Sequence, residues 1–256
     1  MKCVLSIAGS DPSGGAGIQV DLLVFRSLSV QGLSVVTAVT AQNDKRFYSL
    51  NPVPSTLLRE QLRAVLQFKR PDAIKIGMLG TEGNVLAVFR FLESEKFEAV
   101  VLDPVQQSST GAVLLPAKGM AILKDFLIPK VTVVTPNLDE ARTLTGLKVR
   151  TIDQMKEAAL NLYDSCRGVK AVLLKGGHLE GDPIDVLYDG REWHLFEPRE
   201  RLSHPVHGTG CAHSAALAAY LARGESIPSA TRKAKRYVTA WMRSRGRPVR
   251  SSVPAP

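Results

Sequence analysis

The sequence predicts an α/β fold in which a mostly parallel sheet is covered by helices. Short, charge-poor β-branched runs alternate with longer amphipathic stretches, and glycine-bearing loops directly follow several of those runs. The chain has 256 residues, which at about 150 residues per domain suits one large domain better than two. Hydrophobic residues at 45% and charged residues at 22% exclude a disordered, collagen-like or disulfide-dense chain.

Strands are expected at 3–8, 33–39, 73–76, 99–102, 131–135 and 171–174. Lys75 is the one charge in these runs, as suits strands buried on both faces. Helices are expected at 18–29, 55–68, 82–95, 117–126, 138–144 and 152–165 from their spacing of Leu, Val, Ala and Phe. Thr151 and Gln154 have the spacing of a capping box before the last of these. Further on, Asp189-Gly190 separates two short apolar runs, 186–188 and 193–196, and reads as an antiparallel hairpin at one sheet edge. The expected organisation is a single domain over 1–242 and a basic, disordered tail over 243–256.

Charge and cysteine usage narrow the function classes. Net charge is +9, but 229–256 holds eight basic residues and no acid, leaving 25 bases against 24 acids elsewhere. This is the pattern of a neutral body with a frayed basic terminus, and it argues against nucleic-acid binding. Cys3, Cys166 and Cys211 form neither an even framework nor a CxxC pair, which disfavours disulfides and structural zinc. No apolar run approaches the roughly 18 residues of a membrane span, and MKCVLSIAGSDPSGG does not match a signal peptide. A cytoplasmic protein without a membrane partner is expected.

Three glycine-containing segments follow strands. The first, residues 9–17, is neither GxGxxG nor a P-loop, and by itself is also explained as a tight turn. In the second, Lys175 leaves a strand ahead of Gly176-Gly177, a point charge suited to phosphate oxygens. The third, His207-Gly-Thr-Gly-Cys211, opens an Ala/Leu-rich helix closing at Gly224. Its amides from Gly208 through Thr209 and Gly210 to Cys211, with the helix dipole, would form an anion site. Cys211 in that first turn is expected to have a lowered thiol pKa, fitting a base or nucleophile; the alternative is a small buried hydrophobe. Asn137 and Glu140 are three apart on one helix face and suit Mg²⁺, although Glu140 could equally complement the dipole. HExxH and GxSxG are absent, and His204 with His207 is a poor metal pair.

The ordered set AGSDPSGGAGIQVDL, TAQN, KIGML, VLDPV, TPNLDEA, LLKGGH and HGTGC resembles the hydroxymethylpyrimidine and phosphomethylpyrimidine kinases of thiamin biosynthesis, of the ribokinase-like superfamily. The resemblance runs from about residue 3 to about residue 222 and implies a three-layer α/β/α fold with a small antiparallel edge. It implies ATP and Mg²⁺ as cofactors, a homodimer, and phosphorylation of 4-amino-5-hydroxymethyl-2-methylpyrimidine and then of its monophosphate. By motif position, Gln42, Asp21, Gly9, Met78 and Val105 would bind the pyrimidine. Lys175 would meet the transferred phosphate, Asp103, Asn137 and Glu140 would form the nucleotide end with Mg²⁺ on Asp103 and Glu140, and Cys211 would act as base.

The chain departs from the family at three places. Residues 106–111 read QQSSTG where a loop of the type AKSG is usual, so a lysine is absent. Asp44-Lys-Arg-Phe-Tyr48 replaces a Thr-x-Gly turn, and Ala212-His213 replaces a hydroxyl and aromatic pair. Two other readings stand beside the pyrimidine kinase: a pyridoxal or pyridoxine kinase, and a catalytically weakened pyrimidine-binding protein.

Overall fold

Alternate residues along the strands face opposite sides of one sheet, and that alternation assembles two separate cores. The computed structural model describes residues 1–43, 45–177, 179, 183–197 and 207–245. In chain order the described elements are β1 (Cys3–Ser10), α1 (Gly17–Ser27), β2 (Gln31–Gln42), β3 (Phe47–Pro52), α2 (Ser55–Phe68), β4 (Ala73–Ile76), α3 (Glu82–Ser94) and β5 (Val100–Leu102). They continue with α4 (Ala117–Ile122), β6 (Val133–Val134), α5 (Leu138–Thr145), α6 (Ile152–Ser165), β7 (Ala171–Leu174), β8 (Asp185–Tyr188), β9 (Trp193–Phe196), α7 (Thr209–Ala222) and α8 (Ile227–Arg245). After α4 the chain widens into a π turn, Leu123–Leu127, and then tightens into a 3-10 turn.

The sheet order is β3-β2-β1-β4-β5-β6-β7-β8-β9. The six strands from β2 to β7 run parallel, as the charge-poor runs predict. Leu5, Ile7, Ile74, Ile76, Leu102 and Val134 point to one face, packed against α2 to α6. Val4, Ala73, Val101, Val133 and Leu173 point to the other, packed against α1, α7 and α8. The result is the expected three-layer α/β/α ribokinase-like fold. The alanines of α7 are buried on nearly every side, which lets this helix lie close to the strands and to α8 at once.

Two elements differ from the sequence expectation. Both sheet edges are antiparallel: besides β8 and β9, the strand β3 pairs with β2. β3 mixes half-buried and exposed residues without clear alternation, too weak an apolar signal beside Asp44-Lys-Arg46 to read as a strand. The basic stretch after 229 is a helix whose Ala230, Ala234 and Val238 are buried in the α7 core, and it continues to Arg245. A spacing of four turns those alanines to one side and most of the basic residues outward; residues 246–256 lie outside the described residues. The Thr151–Gln154 pair is half a capping box. Thr151 accepts from the Gln154 amide, while Gln154 caps Arg150. Among the described residues no helix is long and apolar enough to cross a membrane.

Candidate active site

β1 and β4 lie side by side although β2 and β3 intervene in the chain, so the strand order reverses between them. Such a reversal opens a crevice at the carboxyl ends of parallel strands. The glycine loop after β1, Met78 after β4, Asp103 after β5, Asn137 after β6 and Lys175 after β7 all stand at those ends.

Lys175 Nζ lies 2.6 Å from Asp103 Oδ1. Burial acts to push the Asp103 carboxyl up, but Lys175, Lys75 and the Ser214 hydroxyl outweigh it and hold the group below its ordinary value. Burial likewise acts against the Lys175 ammonium, and Asp103 with Glu140 reverses the effect, so its pKa is raised. Asp103 Oδ2 accepts from Ser214, 3.2 Å away on α7. The pair is therefore charged and enclosed on the side away from the crevice.

The first turn of α7 sits directly on this pair. A Cβ on Gly210 would be 3.4 Å from Lys175 Nζ and 3.7 Å from Asp103 Oδ2. Gly208, the N-cap, is left-handed at φ 82°, and a Cβ there would collide with the Gly15 carbonyl. Only glycine satisfies both demands. The helix start that carries Thr209, Gly210 and Cys211 is thereby held beside a lysine, an arrangement made for a polyanion.

Cys211 is half-buried, and the nearby Gly17 amide acts to lower its thiol pKa. Burial pushes the Cys211 thiol up, and the nearby Lys75 ammonium does not offset this. The lowered pKa expected from the helix terminus is thus corrected: the turn is packed against the glycine loop, and desolvation exceeds the helix effect.

Gly9, Met78 and Val105 lie together at the strand ends. The Met78 methyl occupies the space a Cβ on Gly9 would need, and Met78 packs with Ala38 and Leu114 in a small apolar cluster joined by Val105, Phe47 and Leu50. Gln42 ends β2 at a register irregularity opposite Phe47, which places it at the rim of that cluster.

Asp21, which the resemblance would have touch the pyrimidine, is fully enclosed on α1. Its Oδ2 accepts from the Ser6 hydroxyl at 2.6 Å and from Lys75 at 2.9 Å, and its Oδ1 is buried without a partner. The cause is Lys75, a cation in the middle of the sheet with no exposure, which needs an adjacent counter-ion. Burial acts against that ammonium, but Asp21, Cys211 and Asp103 keep its pKa above the ordinary lysine value.

Asn137 and Glu140 face each other as a full capping box. The Asn137 side chain accepts from the Glu140 amide at 2.8 Å, and Glu140 Oε2 accepts from the Asn137 amide at 2.7 Å. The Asn137 oxygen thus accepts from the helix it caps. Burial pushes Glu140 up to about 7 against the pull of Lys175. Among the described residues no group of three His, Cys, Asp or Glu could hold a metal by itself. Glu140 and Asp103 are the carboxylates that would hold Mg²⁺, an ion usually bound by one or two carboxylates with the remaining positions on phosphate and water, with Asp103 already accepting from Lys175 and Ser214.

Several site residues were not singled out from the sequence. Lys75 was visible as the lone charge in a buried strand, and Ser214 lies three residues from Cys211 on one helix face. Asp11, whose carboxylate collects the Ser13 and Ala16 amides, carried only a turn signal. His178, in the lysine loop, lies outside the described residues, as do Asp44 and His204.

Known proteins resemble the chain over nearly its whole length. The phosphomethylpyrimidine kinase family matches residues 11–255. The chain is 42% identical over 237 residues to the hydroxymethylpyrimidine/phosphomethylpyrimidine kinase of Bacillus subtilis, covering 91% of this chain and 86% of that protein. It is 42% identical over 241 residues to the thiamine biosynthesis bifunctional protein ThiED of Geobacter sulfurreducens, covering 94% of this chain but only 49% of that longer protein. Among solved structures, the phosphomethylpyrimidine kinase of Clostridium difficile superposes with a TM-score of 0.84 at 35% identity, covering 94% of this chain and all of that one. The pyridoxal kinase of Staphylococcus aureus in complex with AMP-PCP and pyridoxal superposes with a TM-score of 0.85 at 37% identity, covering 94% and 88%. With its Lys175–Asp103 pair beneath the head of α7, the chain belongs to the hydroxymethylpyrimidine/phosphomethylpyrimidine kinase family of ribokinase-like phosphotransferases.

Proposed function

We propose that the chain transfers the γ-phosphoryl group of ATP to the hydroxymethyl oxygen of 4-amino-5-hydroxymethyl-2-methylpyrimidine, and then phosphorylates the resulting monophosphate. The observation that carries this reading is the first turn of α7 resting on the Lys175–Asp103 pair, with Gly210 within 3.4 Å of the ammonium by its Cβ direction. Phosphoryl transfer asks a protein mainly for positioning and charge neutralisation. Lys175 and the amides of 208–211 neutralise the phosphoryl oxygens as charge shifts toward the leaving ADP. Cys211 takes the proton of the attacking hydroxyl through the minor fraction of it that is thiolate, so turnover should rise with pH toward the raised value of the thiol. Mg²⁺, held by Glu140 and Asp103 when bound with the nucleotide, supplies further neutralisation.

The cluster of Met78, Val105 and Leu114 gives a ring an apolar face, and Gln42 at its rim offers both a donor and an acceptor to a ring nitrogen and its amino group. We read the enzyme as a cytoplasmic homodimer, a reading supported by the family resemblance and by the exposed Val39 and Tyr48 on the β2–β3 edge.

A second reading, pyridoxal kinase, is supported by the superposition on the Staphylococcus aureus enzyme, because the same apolar wall accepts a pyridine. Incubation with Mg²⁺–ATP and either the pyrimidine or pyridoxal, with products separated by mass, tests both. Pyrimidine mono- and pyrophosphate together are the expected result. Pyridoxal phosphate alone would replace it with the second reading. Pyrimidine bound without any product would replace both with a binding protein.

A further inference from the structure

His207 stands at the meeting point of three loops. Its Nδ1 lies 3.0 Å from the Ser109 hydroxyl, and its Nε2 lies 3.2 Å from Asp11 Oδ2. Asp11 is almost fully buried and is fixed by the amides of Ser13 and Ala16. The imidazole lies against Gly15, where any Cβ would strike its Cδ2 atom. One residue later, Gly208 begins the phosphate-binding turn.

The Ser109 side of this contact is the tip of a small flap. Gln107 and Val113 pair as an antiparallel bridge, the Ser108 amide bonds the Ala112 carbonyl, and the Leu114 amide bonds the Gln106 carbonyl. The tip is otherwise exposed, and Ser108 and Thr110 bond only within the flap. At its base the flap grows from Val105 and returns to Leu114, both part of the apolar cluster. It therefore reaches from the acceptor side of the crevice to the head of α7, and His207 is what it reaches.

We infer that His207 is a positioning residue that latches the flap of residues 106–113 onto the glycine loop and so keeps water away from the transferred phosphoryl group. The inference rests on the phosphoryl transfer proposed above. Its chemistry is that of a kinase that must prefer an organic hydroxyl to water: a closed flap excludes the competing nucleophile. Both bonds are satisfied by the neutral Nε2–H tautomer, in which Ser109 donates to Nδ1 and Nε2 donates to Asp11. Asp11 is held by its own loop, so the latch ties the exposed partner, Ser109, to a fixed one.

Ser109→Ala removes one bond at an exposed tip and leaves the head of α7 intact, so it is the informative variant. Thr110→Ala, which breaks a bond inside the flap only, is its control. Hydrogen exchange of the flap amides in the free protein reads the latch without any substrate. Ser109→Ala is expected to speed exchange about fivefold, the effect of one hydrogen bond, with Thr110→Ala close to wild type. In turnover, Ser109→Ala is expected to raise the ratio of ADP released to phosphorylated acceptor, with the nucleotide KM unchanged. Exchange equal to wild type in Ser109→Ala overturns the latch. Faster exchange with an unchanged ADP ratio overturns its role against water. Wild-type protein that phosphorylates neither the pyrimidine nor pyridoxal overturns the phosphoryl-transfer reading instead, and the exchange comparison still decides whether the latch exists.

Discussion

Lys175 Nζ and Asp103 Oδ1 lie 2.6 Å apart, joined from the ends of β7 and β5 although β6 runs between those strands. Lys175 is 15% exposed and Asp103 2%, so neither charge is screened as a surface pair would be. Removing one partner leaves the other charged and enclosed. Asp103→Ala is therefore expected to lower unfolding free energy by about 3–5 kcal/mol. Asp103→Ala with Lys175→Met should lose less than the sum of the two single variants, because the orphaned charge is gone. Urea unfolding of the four proteins measures the coupling, and strict additivity would contradict it.

Cys211 combines a half-buried sulfur with a thiol pushed up by burial. Alkylation of Cys211 by iodoacetamide, followed by peptide mass mapping, should therefore be slower at neutral pH than that of free cysteine and should keep rising beyond pH 9. Cys211→Ala should retain pyrimidine binding and lose on the order of 10²–10⁴ in turnover, the usual size of a general-base contribution. Equal turnover in the variant would make the thiol a packing group.

Gln42 lies at the rim of the apolar cluster, remote in sequence from the Lys175 loop. Gln42→Leu should raise the KM for the pyrimidine while the KM for ATP stays at the wild-type value. A change confined to ATP would place Gln42 at the wrong end of the crevice.

His213 is 5% exposed, and neither ring nitrogen has a partner. Burial lowers its pKa to about 4 from 6.5, against the opposing Asp185 carboxylate. The folded pKa lies below the unfolded one, so as pH falls from 6.5 toward 4 the unfolded chain binds a proton that the folded chain refuses. Wild type should lose up to about 3 kcal/mol of stability across that window, and His213→Leu should lose correspondingly less. Unfolding free energies of both proteins at pH 7 and pH 4.5 measure the difference; parallel losses would contradict the assignment.

The helices over 55–68 and 152–165 and the strands over 73–76 and 171–174 were legible to the residue, because their periodicity is local and uninterrupted. α8 was hidden by its charge: Ala230, Ala234 and Val238 have helical spacing, but small side chains among Arg and Lys give a faint apolar stripe. β3 was hidden because an edge strand buries too little to alternate clearly. At the site, Lys175, Cys211 and the 208–211 turn were visible as residue types that need no partner to be recognised. Ser214 and Asp11 were not, and His207 was visible only as part of the glycine segment, since each has meaning only through a contact with a residue distant in the chain.

The amino-acid sequence by itself determined the alternation of buried strands and amphipathic helices, the glycine loops at strand ends and the helix that begins at Gly208. These follow from side-chain periodicity and backbone sterics, which act over a few residues. Tertiary structure decided the rest. It buried Asp21 against Lys75, pushed the Cys211 thiol up where a helix terminus alone would lower it, tied the Asn137 oxygen into a capping box, and brought Ser109 to His207 across 98 positions of chain. Those outcomes depend on desolvation and through-space charge, quantities that exist only once residues far apart in sequence share the same low-dielectric space.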